Sequence, residues 1–167
     1  GSAYPLEIFD PTNPGCKDPK YGVTIVDGTG VPKNGMCGVF LVPQGREHEF
    51  TFSNEEGQMQ LGEQAGFARL IIVSLSRFFD HGTMAGIQRE LSPIMMQLAP
   101  SKLKSGKRIK SNGDIPFLSS KEQVGARTLV EDRVSGLSGR MVVEDVSIGE
   151  DKMRRLVFMS SMNIVQS

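Results

Sequence analysis

The run FARLIIVSLSR, Phe67 to Arg77, is the strongest constraint on how this chain folds. It is too apolar to lie at a surface and too rich in β-branched residues for a helix, so it reads as a buried strand. A helical pattern stands on each side of it. SNEEGQMQLGEQAG (residues 53–66) starts with Ser53 and has Glu56 three residues later, the pattern of a capping box, and Gly66 falls where a helix-ending glycine belongs. TMAGIQRELSPIMMQLAP (residues 83–100) repeats Met84, Ile87, Leu91, Ile94, Met95 and Leu98 at three- and four-residue spacing, which gives one apolar stripe. Burying six such side chains contributes on the order of 10 kcal/mol before conformational entropy is set against it. Pro93 removes one donor and is expected to kink this helix or start a new turn.

Upstream, YPLEIF (residues 4–9), YGVTIVD (21–27) and CGVFLVP (37–43) are short strands separated by dense turn chemistry. Their connections are too short for crossover helices, so an antiparallel meander is expected. Downstream, SKLKSGKRIKSNGD (101–114) has no apolar period and reads as a mobile loop. After it, IPFL, ARTLVED, RMVVEDVSI and RRLVFM form an antiparallel half with hairpins. The expected fold is therefore α+β: a mainly antiparallel sheet, two helices packed on one face, and C-terminal β-hairpins. The division expected is an α+β middle domain over residues 3–119, followed by an antiparallel β segment over 120–167. The closing RRLVFMSSMNIVQS reads as a hairpin whose second strand has barely begun, which is the mark of a fragment. The leading Gly-Ser reads as a cloning remnant and is set aside.

Composition narrows the function classes. Nineteen basic residues balance nineteen acidic ones, so no global charge draws the chain to nucleic acid or an anionic membrane. No apolar run approaches the roughly 20 residues of a membrane span, and no secretory signal is present. Two cysteines, Cys16 and Cys37, fit reduced thiols in the cytoplasm, and His48 and His81 belong to no metal-ligand cluster.

Several stretches invite a chemical reading. VTIVDGTGVPKNG places Asp27, Gly28 and Gly30 after a strand, as a nucleotide-binding glycine loop does. Such a loop must deliver the chain into a helix, and here Pro32, Gly35 and a following strand prevent one. A turn between strands is the better reading. KLKSGKRIK is basic but lacks aromatics for base stacking, so it reads as a solvated loop. RFFDHG puts Phe78 and Phe79 beside the buried strand as core lids, with His81 in the turn before the helix. VVEDVSIGEDK carries Glu144, Asp145, Glu150 and Asp151, read as the soluble edge of a hairpin with metal binding a weak alternative. PQGREHEF concentrates charge, and Gln44, Arg46, Glu47, His48 and Glu49 form the candidate interaction loop. His48 oriented by a carboxylate has the makings of a general base, but no nucleophile or oxyanion donor stands at identifiable spacing. No catalytic, cofactor-binding or metal-ligating residue is assigned.

VFLVPQGREHEF, LGEQAGFARLIIVSL, IQRELSPIMMQLAP, VGARTL, SGRMVVEDV and RRLVFMSSMNIVQS occur in an order that resembles one family. From Tyr21 onward the chain is similar to the region between the two catalytic domains of the methyltransferase-like 13 family, the dual methyltransferases of translation elongation factor 1-alpha. The resemblance implies a parent protein that uses S-adenosylmethionine to modify a lysine and the N-terminal α-amino group of that factor. It also implies flanking methyltransferase domains as partners, the second of them similar to spermidine synthases and entered through a β-hairpin. None of the matching positions lies in a catalytic or cofactor motif. The resemblance thus points to a non-catalytic middle or linker module, with no cofactor of its own, that fixes the catalytic halves or helps hold elongation factor 1-alpha. Two alternatives stand beside it: a degenerate methyltransferase-like domain that keeps ligand binding, and an interaction module using Gln44–Glu49. Oligomeric state is left open.

Overall fold

The structure is a computed structural model and describes residues 1–100, 115–119, 125–161 and 165–166. Its elements run β1 (Ser2–Ile8), β2 (Tyr21–Asp27), β3 (Gly35–Leu41), α1 (Phe50–Ser53), α2 (Glu55–Ala65), β4 (Phe67–Leu75), α3 (Met84–Leu98) and β5 (Phe117–Ser119). They continue with β6 (Ala126–Ser135), β7 (Gly139–Ile148), β8 (Asp151–Phe158), a 3-10 turn (Met159–Ser161) and β9 (Val165–Gln166). Two sheets result, one ordered β1-β2-β4-β3-β5 and the other β6-β7-β8-β9. Most pairings are antiparallel, and the α+β class expected from sequence is the class observed.

The strand predicted at Phe67 forms as β4 and takes the centre of the first sheet. Leu70, Ile71, Ile72 and Val73 are all buried, so both of its faces need cover, and a central position between two layers supplies it. That placement overturns the antiparallel meander expected for the first three strands. β1 and β2 do pair antiparallel, but β4 then inserts beside β2. β3 lies parallel to β4, because the chain between them is long enough to carry α1 and α2 as a crossover. IPFL does not join the C-terminal sheet either. Its Phe117 and Leu118 pair with Val39 and Phe40, adding β5 parallel to the far side of β3.

The helices lie on opposite faces rather than one. The β3-to-β4 crossover carries α2 and the β4-to-β5 crossover carries α3, and the two run in opposite directions across the sheet, so with the usual hand their helices must lie on opposite faces. The stripe on α3 packs where expected: Ile87, Leu91 and Met95 are buried against Val23, Ile71 and Val73. Met59, Leu61 and Ala65 of α2 cover Val26, Leu70 and Ile72 on the other side.

The caps differ in one detail from the sequence reading. Asn54, not Ser53, caps α2, accepting a 2.9 Å hydrogen bond from the Glu56 amide. Residue 54 is extended while Ser53 still belongs to α1, so only Asn54 can present its side chain to the open amides. Gly66 ends α2 in the left-handed region as expected, and Thr83 caps α3. α3 continues through Pro93 to Leu98. The loop predicted at 101–114 lies outside the described residues.

The second sheet is antiparallel throughout, with a bulge between Leu129 and Glu131 in β6. The closing hairpin forms: Leu156 faces Gln166 and Val157 faces Val165. Arg140 helps join the sheets, donating to Asp18 at 2.7 Å and stacking on the Phe78 ring at 4.0 Å. Among the described residues no helix is long and apolar enough to cross a membrane.

Candidate functional site

β4, β3 and β5 form a small doubly wound unit, with connections leaving to opposite faces. In such sheets ligands collect at the carboxyl ends of the strands, where the connections diverge. The loop after β3, residues 42–49, occupies that place. Gly45 sits there at φ +95°, a conformation that favours glycine, and a side chain on it would press Val146 at 3.3 Å. The turn brings the Gly45 carbonyl against the second sheet, where Arg155 of β8 donates to it at 2.6 Å.

A buried ionic cluster fills the junction. Glu144 on β7 is fully buried, and the Arg155 side chain is 2% exposed. Arg155 holds Glu144 through Nε at 2.9 Å and Nη2 at 2.8 Å. Arg127 from β6 pairs with Glu47, and its Nη2 donates to the Leu75 carbonyl. Arg77, just past β4, lies 3.2 Å from Glu144 Oε2 but is not aligned to hydrogen-bond it. Burial holds the Arg77 guanidinium below the usual arginine range; Glu144 opposes that shift and Arg127 adds to it.

Beside the cluster is a cavity of about 230 Å³, lined by the loop, α1, α2, the ends of β2 and β4, and Arg77 and Arg155. Its origin lies in a gradient along one face of the first sheet. The cross-strand pairs on that face run Val26–Leu70, Thr24–Ile72 and Gly22–Ser74. The apolar end is covered by α2, and the small, polar end is left open.

The chain was compared with known proteins. It is 42% identical over 154 residues to the eEF1A lysine and N-terminal methyltransferase of Mus musculus, covering 90% of this chain and 21% of that protein. The Homo sapiens protein of the same name is 41% identical over 154 residues, with the same coverage. The Drosophila melanogaster homolog is 33% identical over 160 residues, covering 96% of this chain and 23% of its own length. This chain is homologous to one segment of the eEF1A lysine and N-terminal methyltransferases. It spans about a fifth of the length of these curated relatives. No family model matches it, and no solved structure does.

The candidate loop divides its residues between two directions. Gln44 reaches Gly125 O at 3.5 Å, Glu47 accepts from the Gly45 amide at 2.9 Å and pairs with Arg127, and His48 lines the cavity 3.5 Å from Arg155. Arg46 and Glu49 pair with each other, Nε to Oε1, at 2.6 Å. The DGTG stretch is a turn joining β2 to β3: Gly28 donates to Ala68 O, and a Cβ there would lie 2.9 Å from Phe67 O. Its glycine answers to backbone packing. His81 sits in the turn before α3, its Nε2 2.9 Å from Ser76 O. Among the described residues no three His, Cys, Asp or Glu side chains are grouped to hold a metal ion.

Sequence reading missed Arg77, Arg127 and Arg155 and misread Glu144, which is no soluble edge. A signal was present. On the two-residue period of a strand, Glu144 shares a face with Val142 and Val146, both buried, and Arg155 shares one with Val157.

Proposed function

We propose that this chain is a non-catalytic middle module of an S-adenosylmethionine-dependent protein methyltransferase. The whole protein would methylate a lysine and the N-terminal α-amino group of translation elongation factor 1-alpha in the cytoplasm. Homology to one segment of proteins named for that activity supports the reaction class. One observation carries the non-catalytic role: the loop at the carboxyl end of β3 bonds the second sheet through Gly45 and Glu47 instead of leading into a glycine-rich helix start. In this role residues 3–119 form one unit, and 120–167 lead toward a catalytic domain. The nearest partners are the flanking methyltransferase domains, with elongation factor 1-alpha as the shared substrate.

Calorimetric titration of the chain with S-adenosylmethionine tests the role. No binding is expected at micromolar concentrations, while the full-length protein binds; micromolar binding to this chain alone overturns it. A second reading, a methyltransferase-like sheet that keeps ligand binding, is favoured by the parallel β4-β3-β5 unit with a cavity at its carboxyl end.

A further inference from the structure

Among the described residues the ionic cluster does not balance. Arg77, Arg127 and Arg155 bring three positive charges to the junction, and Glu47 and Glu144 bring two negative ones. An unmatched charge in a buried setting is costly and calls for a counter-ion. Arg77 and Arg155 both line the cavity, with side chains 9% and 2% exposed. Arg77 Nη1 is fully buried and makes no hydrogen bond among the described residues. Around these cations the cavity carries hydroxyl and amide groups from Thr24, Ser53, Ser74 and Gln58, the His48 ring, the Glu47 carboxylate already paired with Arg127, and apolar surface from Val42, Phe52 and Ile72.

We infer that the cavity is a binding site for a small organic carboxylate, held by the Arg77 guanidinium group with its hydrocarbon body against Val42, Phe52 and Ile72. Arg77 supplies the unmatched charge, and a carboxylate accepts paired N–H bonds from a guanidinium fork better than any neutral ligand does. The apolar wall favours an organic acid over a bare inorganic anion, whose hydration it cannot replace. Size sets an upper bound. About 230 Å³ is smaller than the roughly 300–1,000 Å³ of sites that enclose drug-sized ligands. The proposal goes beyond both functional readings above, since a module that binds no S-adenosylmethionine can still hold an acid here.

The test is calorimetric titration of the whole chain, at matched ionic strength, with propionate, succinate, inorganic phosphate and ethylamine. Saturable binding of propionate or succinate at millimolar concentration or tighter is expected, with phosphate weaker and ethylamine silent. Arg77→Gln should weaken carboxylate binding at least about tenfold, the loss of one charge-assisted contact, while Arg154→Gln on the outer face should leave it unchanged. Thr24→Ile fills the cavity without altering charge and should abolish binding in a chain whose circular dichroism matches the parent's. It keeps the proposal falsifiable if Arg77→Gln does not fold. Absence of carboxylate binding, equal binding by Thr24→Ile, or phosphate binding more tightly than both acids each overturns the assignment. Because the probes contain no S-adenosylmethionine, failure here leaves the non-catalytic reading where it stood.

Discussion

Two neighbouring rungs of the second sheet carry the same chemistry in opposite surroundings. Glu144 faces Arg155 across β7 and β8, and one step along Asp145 faces Arg154. Both are arginine–carboxylate pairs with nearly equal distances, 2.9 Å and 2.7 Å from Nε. Strand alternation turns the first pair toward the first sheet and the second toward solvent. Glu144 and Arg155 are 0% and 2% exposed, whereas Asp145 and Arg154 are 47% and 63% exposed. Distance therefore says little about what either pair does. The inner pair has lost its water, so each partner depends on the other and on Gly45 O, Arg77 and Glu47. The outer pair keeps its water and gives up little if broken.

The largest expected effect comes from breaking the inner pair on one side. Glu144→Ala leaves Arg77 and Arg155 buried without their carboxylate and should cost about 3–5 kcal/mol. The measurement is urea unfolding of the whole chain, read as a fall in the midpoint. A fall comparable to that of a surface substitution would mean that water reaches the cluster, and the contrast between the two faces would collapse.

Cys37 sharpens the same contrast from the first sheet, because it is a titratable group buried without a counter-charge fitted to it. Burial pushes its thiol up to about 11, with Arg69 pulling down and Asp27 adding to the rise. A buried group without a close partner stays neutral. The folded chain keeps the thiol proton that the unfolded chain releases near its ordinary value of 9.0. Stability from this source is complete below pH 9 and is lost as pH rises from about 9 to about 11. Unfolding curves at pH 8, 9, 10 and 11 should show that decline, and Cys37→Ala should make it shallower. Tyr21 contributes in the same direction at the upper end, raised by burial and by its hydrogen bond to Glu90. An unchanged slope in Cys37→Ala would show that the thiol is not sealed from water.

These contrasts show what the sequence made legible. Helix α3 was plain because its stripe repeats over four turns, and β4 because its residues suit only a doubly covered strand. Pairing order was not plain. Local turn chemistry between β2 and β3 is the same whether they become neighbours or β4 inserts between them, and only the burial demand of β4 decides. The site was harder still. PQGRE drew attention by its density of charge, and Glu47 and His48 do face the cavity. Arg77, Arg127, Glu144 and Arg155 come from four separate segments, so no window of sequence contains the cluster. Only the alternation that puts Glu144 on the face of Val142 and Val146 hints at it, and that hint competes with the charged neighbours that make VVEDV look like an edge.

The smallest expected effect belongs to the outer pair and is the most direct check on the comparison. Arg154 holds Asp145 through two hydrogen bonds at 2.7 and 2.8 Å, a geometry that invites a structural reading. Arg154 keeps Asp145 below the ordinary carboxylate range, which shows that the charges interact but not that folding depends on them. Both side chains surrender rotamer freedom to hold one geometry, and salt screens what remains. Arg154→Ala and Asp145→Ala should therefore leave the urea midpoint within the scatter of replicate curves, at low salt and in 0.5 M sodium chloride alike (an ionic strength of about 0.5 M shortens the Debye length to about 4 Å). A drop approaching that of Glu144→Ala would mean that this face is covered in solution. Because the pairs differ by a single residue step on the same two strands, no difference in strand propensity or sequence position could then account for the result.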